Sequence, residues 1–216
     1  MNITKFWLRT LGILGLLGGL TLFAGDMLFY YNGSNTDLLH NMSISTDAKI
    51  IGSGVTALVG SWLYLLGLGQ VYYAFKSASA LARNIVFISF GAILMSYGVI
   101  HGTFVAIATS AKLAVQHNLD LEATVELASK ANDALRILIY PIFALLSVVF
   151  IYQVWKKNTL YPRWILMFFP LVLFILQGLF DMLFTGKAWV IFMGGYLNLM
   201  LFVFFTASTI ALWRKP

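Results

Sequence analysis

Apolar positions run through this chain in long unbroken stretches, not in alternation and not as one stripe per helical turn. Six stretches stand out, at about 6–29, 51–75, 85–111, 134–155, 164–185 and 188–213. A helix that crosses a bilayer needs ~20 mostly apolar residues, whereas a barrel strand needs only ~10, with alternation. Within lipid a backbone must satisfy its own hydrogen bonds, so runs of this length predict helices. The expected fold is all-α: an integral membrane bundle of six transmembrane helices forming one domain over 1–216.

The segments between the stretches are unequal. Residues 76–84 and 156–163 make short connections, which predict adjacent antiparallel helices. Residues 30–49 are rich in Asn, Ser, Thr and Asp and read as an irregular polar loop. Residues 119–132 read as a short amphipathic outer helix, either over the mouth of the bundle or extending the fourth span. Asn118 or Asp120 is placed to cap it, Leu121, Val125 and Ala128 share a face, and Glu126 and Lys130 form an i,i+4 pair.

Composition sharpens the picture. Of 216 residues, 60% are hydrophobic and 10% charged, against ~45–50% and ~25% in soluble domains. A water-soluble globule is excluded. Cysteine is absent, which removes disulfides, thiolate metal sites and thiol nucleophiles. The net charge of +6 is scattered at the ends of apolar runs, so no nucleic-acid partner is implied.

Lys and Arg set orientation. With the N-terminus in the cytoplasm, the inner side holds nine of them: Lys5, Arg9, Lys76, Arg83, Lys156, Lys157, Arg163, Arg214 and Lys215. The outer side holds five, Lys49, Lys112, Lys130, Arg136 and Lys187, and all eight acidic residues lie there or in the outer half of a span. Both termini are therefore expected inside. The first stretch exceeds a signal-peptide core and has no A-x-A-like site after it, so it reads as a retained helix. Trp7, Trp155, Trp164 and Trp213 mark the inner boundary and Trp189 the outer one. Mid-span Trp62 reads as core.

Glycines at 12, 15, 18 and 19, and again at 52, 60 and 67, mark close helix packing within one chain. Pro141 and Pro170 are expected to kink their helices.

Ionisable groups inside spans are costly, and usually face a bundle interior or a wet cavity. Asp26, His101 and Asp181 stand out, with Asp26 and Asp181 about 6–8 Å below the outer ends of their helices. Gln177, Tyr140, Tyr196 and Asn198 add uncharged polar groups at similar depth. These seven are the candidate ligand-binding residues. Each also has a purely structural use as an interhelical hydrogen bond, and an Asp can pair with Arg136. No G-x-S-x-G, H-E-x-x-H or P-loop is present, and no triad is evident among the serines. His40 and His117 fall outside the spans. Neither a metal site nor a cofactor is implied, no catalytic residue is assigned, and the reading leans away from an enzyme.

Gly25-Asp26, Tyr161-Pro162-Arg163-Trp164 followed by Pro170, and Gly194-Gly195-Tyr196-Leu197-Asn198-Leu199 resemble a family of small bacterial multi-pass membrane proteins defined only as a domain of unknown function. The resemblance implies a bacterial inner-membrane protein and supplies no substrate, cofactor or reaction. The functional expectation is an outward-facing polar cavity in the outer half of the bilayer that binds a small molecule or lipid headgroup, with membrane lipids as partners. The alternatives are an intramembrane metal-assisted lipid hydrolase and a proton-coupled transporter.

Overall fold

A computed structural model describes residues 3–33 and 35–215. Among them there is no β-strand. The helices are α1 (Lys5–Tyr30), α2 (Leu38–Ser43), α3 (Asp47–Ala74), α4 (Ala80–Gln116) and α5 (Leu121–Trp155), then α6 (Pro170–Leu183), α7 (Gly186–Gly194) and α8 (Tyr196–Leu212), with a 3₁₀ turn over Arg163–Phe168 before α6. Capping follows the sequence: Thr4, Thr46, Ser79 and Asp120 each accept a backbone N–H of the first turn. Four helices (α1, α3, α4 and α5) are long and apolar enough to cross a membrane, five if the bent pair α7–α8 counts as one span.

The outward surface of these helices is apolar, unlike that of a soluble bundle, and small and polar residues join the apolar ones that face inward. On α3, Ile51, Val55, Leu58, Trp62 and Leu66 recur at helical spacing and are exposed, while Ser53, Gly60, Ser61 and Gly67 face inward. Trp62 is thus not a core residue: at 57% exposure its ring points out of the bundle. Glycine brings α1 and α3 together. A Cβ on Gly18 would meet Tyr64 N at 2.9 Å and Gly60 O at 3.0 Å, and one on Gly67 would strike the backbone of Gly15. α1 also packs on α8, where Gly15 faces the Phe205 ring and Gly19 the backbone of Phe202. α1 is the central helix, with both glycine stripes spent inside one chain.

Aromatic residues fill the half of the bundle nearer the termini. Phe150 stacks on Phe169 at 4.4 Å, with Phe204 and Tyr161 around it. A buried polar chain crosses the same region: Tyr161 OH and Ser208 Oγ are 2.7 Å apart, Ser208 donates to Gln70 Oε1 at 2.7 Å, and Gln70 Nε2 donates to Leu8 O at 3.1 Å. Burial pushes the Tyr161 phenol above its ordinary pKa, so it stays protonated within this chain of bonds. Arg9 closes that end by donating from Nε and Nη2 to Trp213 O at 3.1 and 3.0 Å, with its guanidinium over the Trp213 ring.

Several local expectations change. Of the two placements open to residues 119–132, the segment takes the one that extends the fourth span: from Leu121 it forms the first turns of α5, with Asp120 as cap and Glu126 paired to Lys130 at 2.5 Å. At ~1.5 Å per residue α4 and α5 are roughly 50–55 Å long, well beyond the ~30 Å thickness of a bilayer's hydrocarbon layer. The polar stretch after α1 folds back on the bundle through α2, whose Met42 is buried and whose Asn41 donates to Tyr30 O at 2.8 Å. Pro170 does not kink a continuous helix. It sits at the first position of α6, where its missing N–H costs nothing, after the 3₁₀ turn. The last apolar stretch breaks at Gly195, with 67° between α7 and α8. A Cβ on Gly195 would run into the Phe23 ring, so the bend lies hard against α1.

Candidate functional site

α1, α3, α4 and α8 together deliver five polar side chains, two of them from α3, to one network in the half of the bundle away from the termini. Asp26 is the centre. His101 Nδ1 lies 3.2 Å from Asp26 Oδ1, and Asn198 Nδ2 donates to Asp26 Oδ2 at 2.7 Å. The outer atoms of both partners are held in turn: His101 Nε2 is 2.7 Å from Ser53 Oγ, and Asn198 Oδ1 accepts from Tyr64 OH at 3.2 Å. The simplest proton assignment has the Ser53 hydroxyl donating to Nε2 and the Nδ1–H donating to the carboxylate. Phe29 stacks on the imidazole at 5.5 Å. Gly25 allows the approach, because a Cβ there would collide with Thr56 and lie 3.5 Å from His101 Cε1.

All five residues are buried; Ser53 is wholly enclosed and Asp26 keeps 6% of its surface. A buried carboxylate without donors would be strongly disfavoured. Here each oxygen has its own partner, His101 at one and Asn198 at the other.

Ser53, His101 and Asp26 follow the bond order of a Ser-His-Asp relay, which no spacing in the sequence announces. The geometry does not present a nucleophile, however. Asp26, His101 and Asn198 line a cavity of about 370 Å³, and Ser53 is not on its wall. The serine lies behind the imidazole and fixes the ring that fixes the carboxylate.

The cavity is lined by residues of α1, α2 and α4 to α8, and its wall also carries Tyr140, Gln177 and Tyr196. Six of the seven candidate residues therefore share one chamber. Asp181 is the exception. It sits in the last turns of α6, exposed, and accepts from Trp189 Nε1 at 2.7 Å. α6 holds only 14 residues and its end turns toward α7, so the one-face relation with Gln177 does not carry Asp181 to the cavity. Tyr196 contributes its ring, while its hydroxyl donates to Leu173 O of α6.

Tyr97, Tyr30 and Arg136 also line the chamber, outside the candidate set. Asn132, buried one turn before Arg136 on α5, donates to Thr103 Oγ1 at 2.5 Å and to Ile100 O at 3.4 Å, clamping α5 to α4. Among the described residues, no group of three or more His, Asp and Glu is close enough to hold a metal ion.

No curated protein and no solved structure matches the chain. The match that exists spans residues 1–215, nearly the full length over which the buried network and its cavity are built, and by it the chain belongs to a family of unknown function, DUF6796.

Proposed function

We propose that this chain is a six-span protein of the bacterial inner membrane, with both termini in the cytoplasm. Its cavity faces the periplasm from the outer half of the bilayer and binds a small molecule or a lipid headgroup. The sixfold crossing is assembled from the four long helices, the 3₁₀ turn with α6, and the bent pair α7–α8. Orientation rests on the inward excess of Lys and Arg, with Arg9 and Arg163 folded over Trp213 and Trp155 at the end that holds the termini.

One observation carries the binding reading. A chamber of about 370 Å³ collects Asp26, His101, Asn198, Tyr140, Gln177 and Tyr196 from five different helices. Ligand sites are mostly apolar concavities of ~300–1,000 Å³ with a few convergent polar groups. A network built only to glue helices has no need of that volume beside it.

The test is thermal unfolding of the purified chain across a panel of metabolites and lipids. Stabilisation by one chemical class, weakened in the wall variants Tyr140→Phe and Gln177→Leu, is the expected result. If no compound stabilises the protein, or if stabilisation ignores both substitutions, the reading fails.

A further inference from the structure

Arg136 brings to the cavity wall a buried side-chain nitrogen, Nε, that has no hydrogen-bond partner among the described residues, and no described carboxylate forms an ion pair with it. Its guanidinium lies 5.3 Å from the centre of the Phe104 ring. Asp26 shares the cavity, but its carboxylate is bonded to His101 and Asn198 and forms no ion pair with Arg136. A partly buried guanidinium without an acceptor is costly, and Arg is the side chain best shaped to meet the oxygens of a phosphate or carboxylate.

The wall is also polarised along the helix axes. α5 places Arg136, Tyr140 and Phe143 on it, and α4 runs antiparallel, with Phe104 beside Arg136. Phe143 lies two turns, about 10 Å, further toward the termini end. There Ile93 and Met200 join Phe143 on the wall. The charged end of the chamber is the one that α2 covers through Leu38, and the opposite end is mainly apolar.

Building on the cavity reading above, we propose that the chamber takes an amphiphile bearing an anionic oxygen group, phosphate or carboxylate. That group sits on the Arg136 guanidinium, and one acyl chain lies along Phe143, Ile93 and Met200. The apolar end gives such a chain a place, and a free ion would leave it empty.

The test uses the full chain in a neutral maltoside detergent, with three probes: a lysophosphatidic acid, the monoacylglycerol of the same chain length, and inorganic phosphate. The lysophosphatidic acid is expected to raise the unfolding temperature at a concentration about tenfold or more below that needed for the monoacylglycerol, the size of one charge-assisted contact. Inorganic phosphate at the same concentrations does nothing. Arg136→Gln erases the tenfold preference while keeping the monoacylglycerol response, and Arg136→Lys retains part of it. The comparison of probes on the unsubstituted chain needs no variant to fold. Equal responses to the two amphiphiles overturn the anionic assignment and leave the cavity reading standing. A preference that survives Arg136→Gln overturns the role of Arg136. Inorganic phosphate matching the lysophosphatidic acid overturns the amphiphile, and no response to any probe overturns this proposal, whereas the cavity reading falls only if the whole metabolite and lipid panel is also silent.

Discussion

Asn198 reaches Asp26 across 172 positions of sequence, and the 2.7 Å bond between them joins the first turn of α8 to the far end of α1. The bond depends on the bend at Gly195. The backbone N–H of Asn198 is held by Gly195 O at 3.1 Å, so the turn that starts α8 also sets where the amide points. Asn198→Ala should therefore destabilise the folded chain by about 1–3 kcal/mol, the cost of leaving a buried polar group without its partner. Thermal or denaturant unfolding in detergent measures it. A variant that unfolds with the unsubstituted chain would mean that Asp26 does not rely on this donor.

Ser53 separates a supporting role from a chemical one. Ser53→Ala leaves His101 Nε2 without its 2.7 Å partner and should cost about 1–3 kcal/mol. Because Ser53 is not on the cavity wall, any compound that stabilises the unsubstituted chain should bind the variant with nearly the same affinity. Loss of binding without loss of stability would show that the hydroxyl reaches the chamber after all.

Much of this was legible in the sequence, and the limits have physical reasons. Uninterrupted apolarity reveals the long helices, and the cost of charge in oil singles out Asp26 and His101. Asn198, Gln177, Tyr140 and Tyr196 are legible as polar groups at one depth. Ser53 and Tyr64 are not, because a serine or tyrosine in a span usually satisfies itself against its own helix or the interface. Their partners lie 48 and 134 residues away. Asp181 misleads for a related reason: depth along a helix can be counted, but its facing depends on where α6 starts and stops. The break at Gly194-Gly195 was visible as a glycine pair, but glycine also serves close packing, and no local rule says which use applies.

The glycine contacts carry their own control. A methyl on Gly67 meets the Gly15 backbone, which cannot rotate away, whereas one on Gly102 meets nothing within 4 Å. Gly67→Ala should destabilise by about 1–3 kcal/mol, the usual cost of overpacking. Gly102→Ala should be neutral or stabilising by up to about 1 kcal/mol, from helix propensity alone. Comparing the two unfolding curves tests the α1–α3 contact, and equal behaviour would argue against it.

Six crossings make a claim that five would not. The 3₁₀ turn and α6 together are the crossing that separates six from five, because α6 alone, at ~1.5 Å per residue, is only about 21 Å long. The absence of cysteine makes the chain ready for single-cysteine labelling in intact cells. His117, Asn158 and Thr185 are exposed and lie in the α4–α5 connection, the stretch after α5, and the α6–α7 connection. If the segment crosses, His117→Cys and Thr185→Cys react with an impermeant thiol reagent from outside, and Asn158→Cys reacts only after permeabilisation. If α6 instead returns to the side it came from, Thr185→Cys falls silent together with Asn158→Cys. That result would remove α6 from the set of spans and put the Gln177 side of the chamber within reach of the cytoplasm.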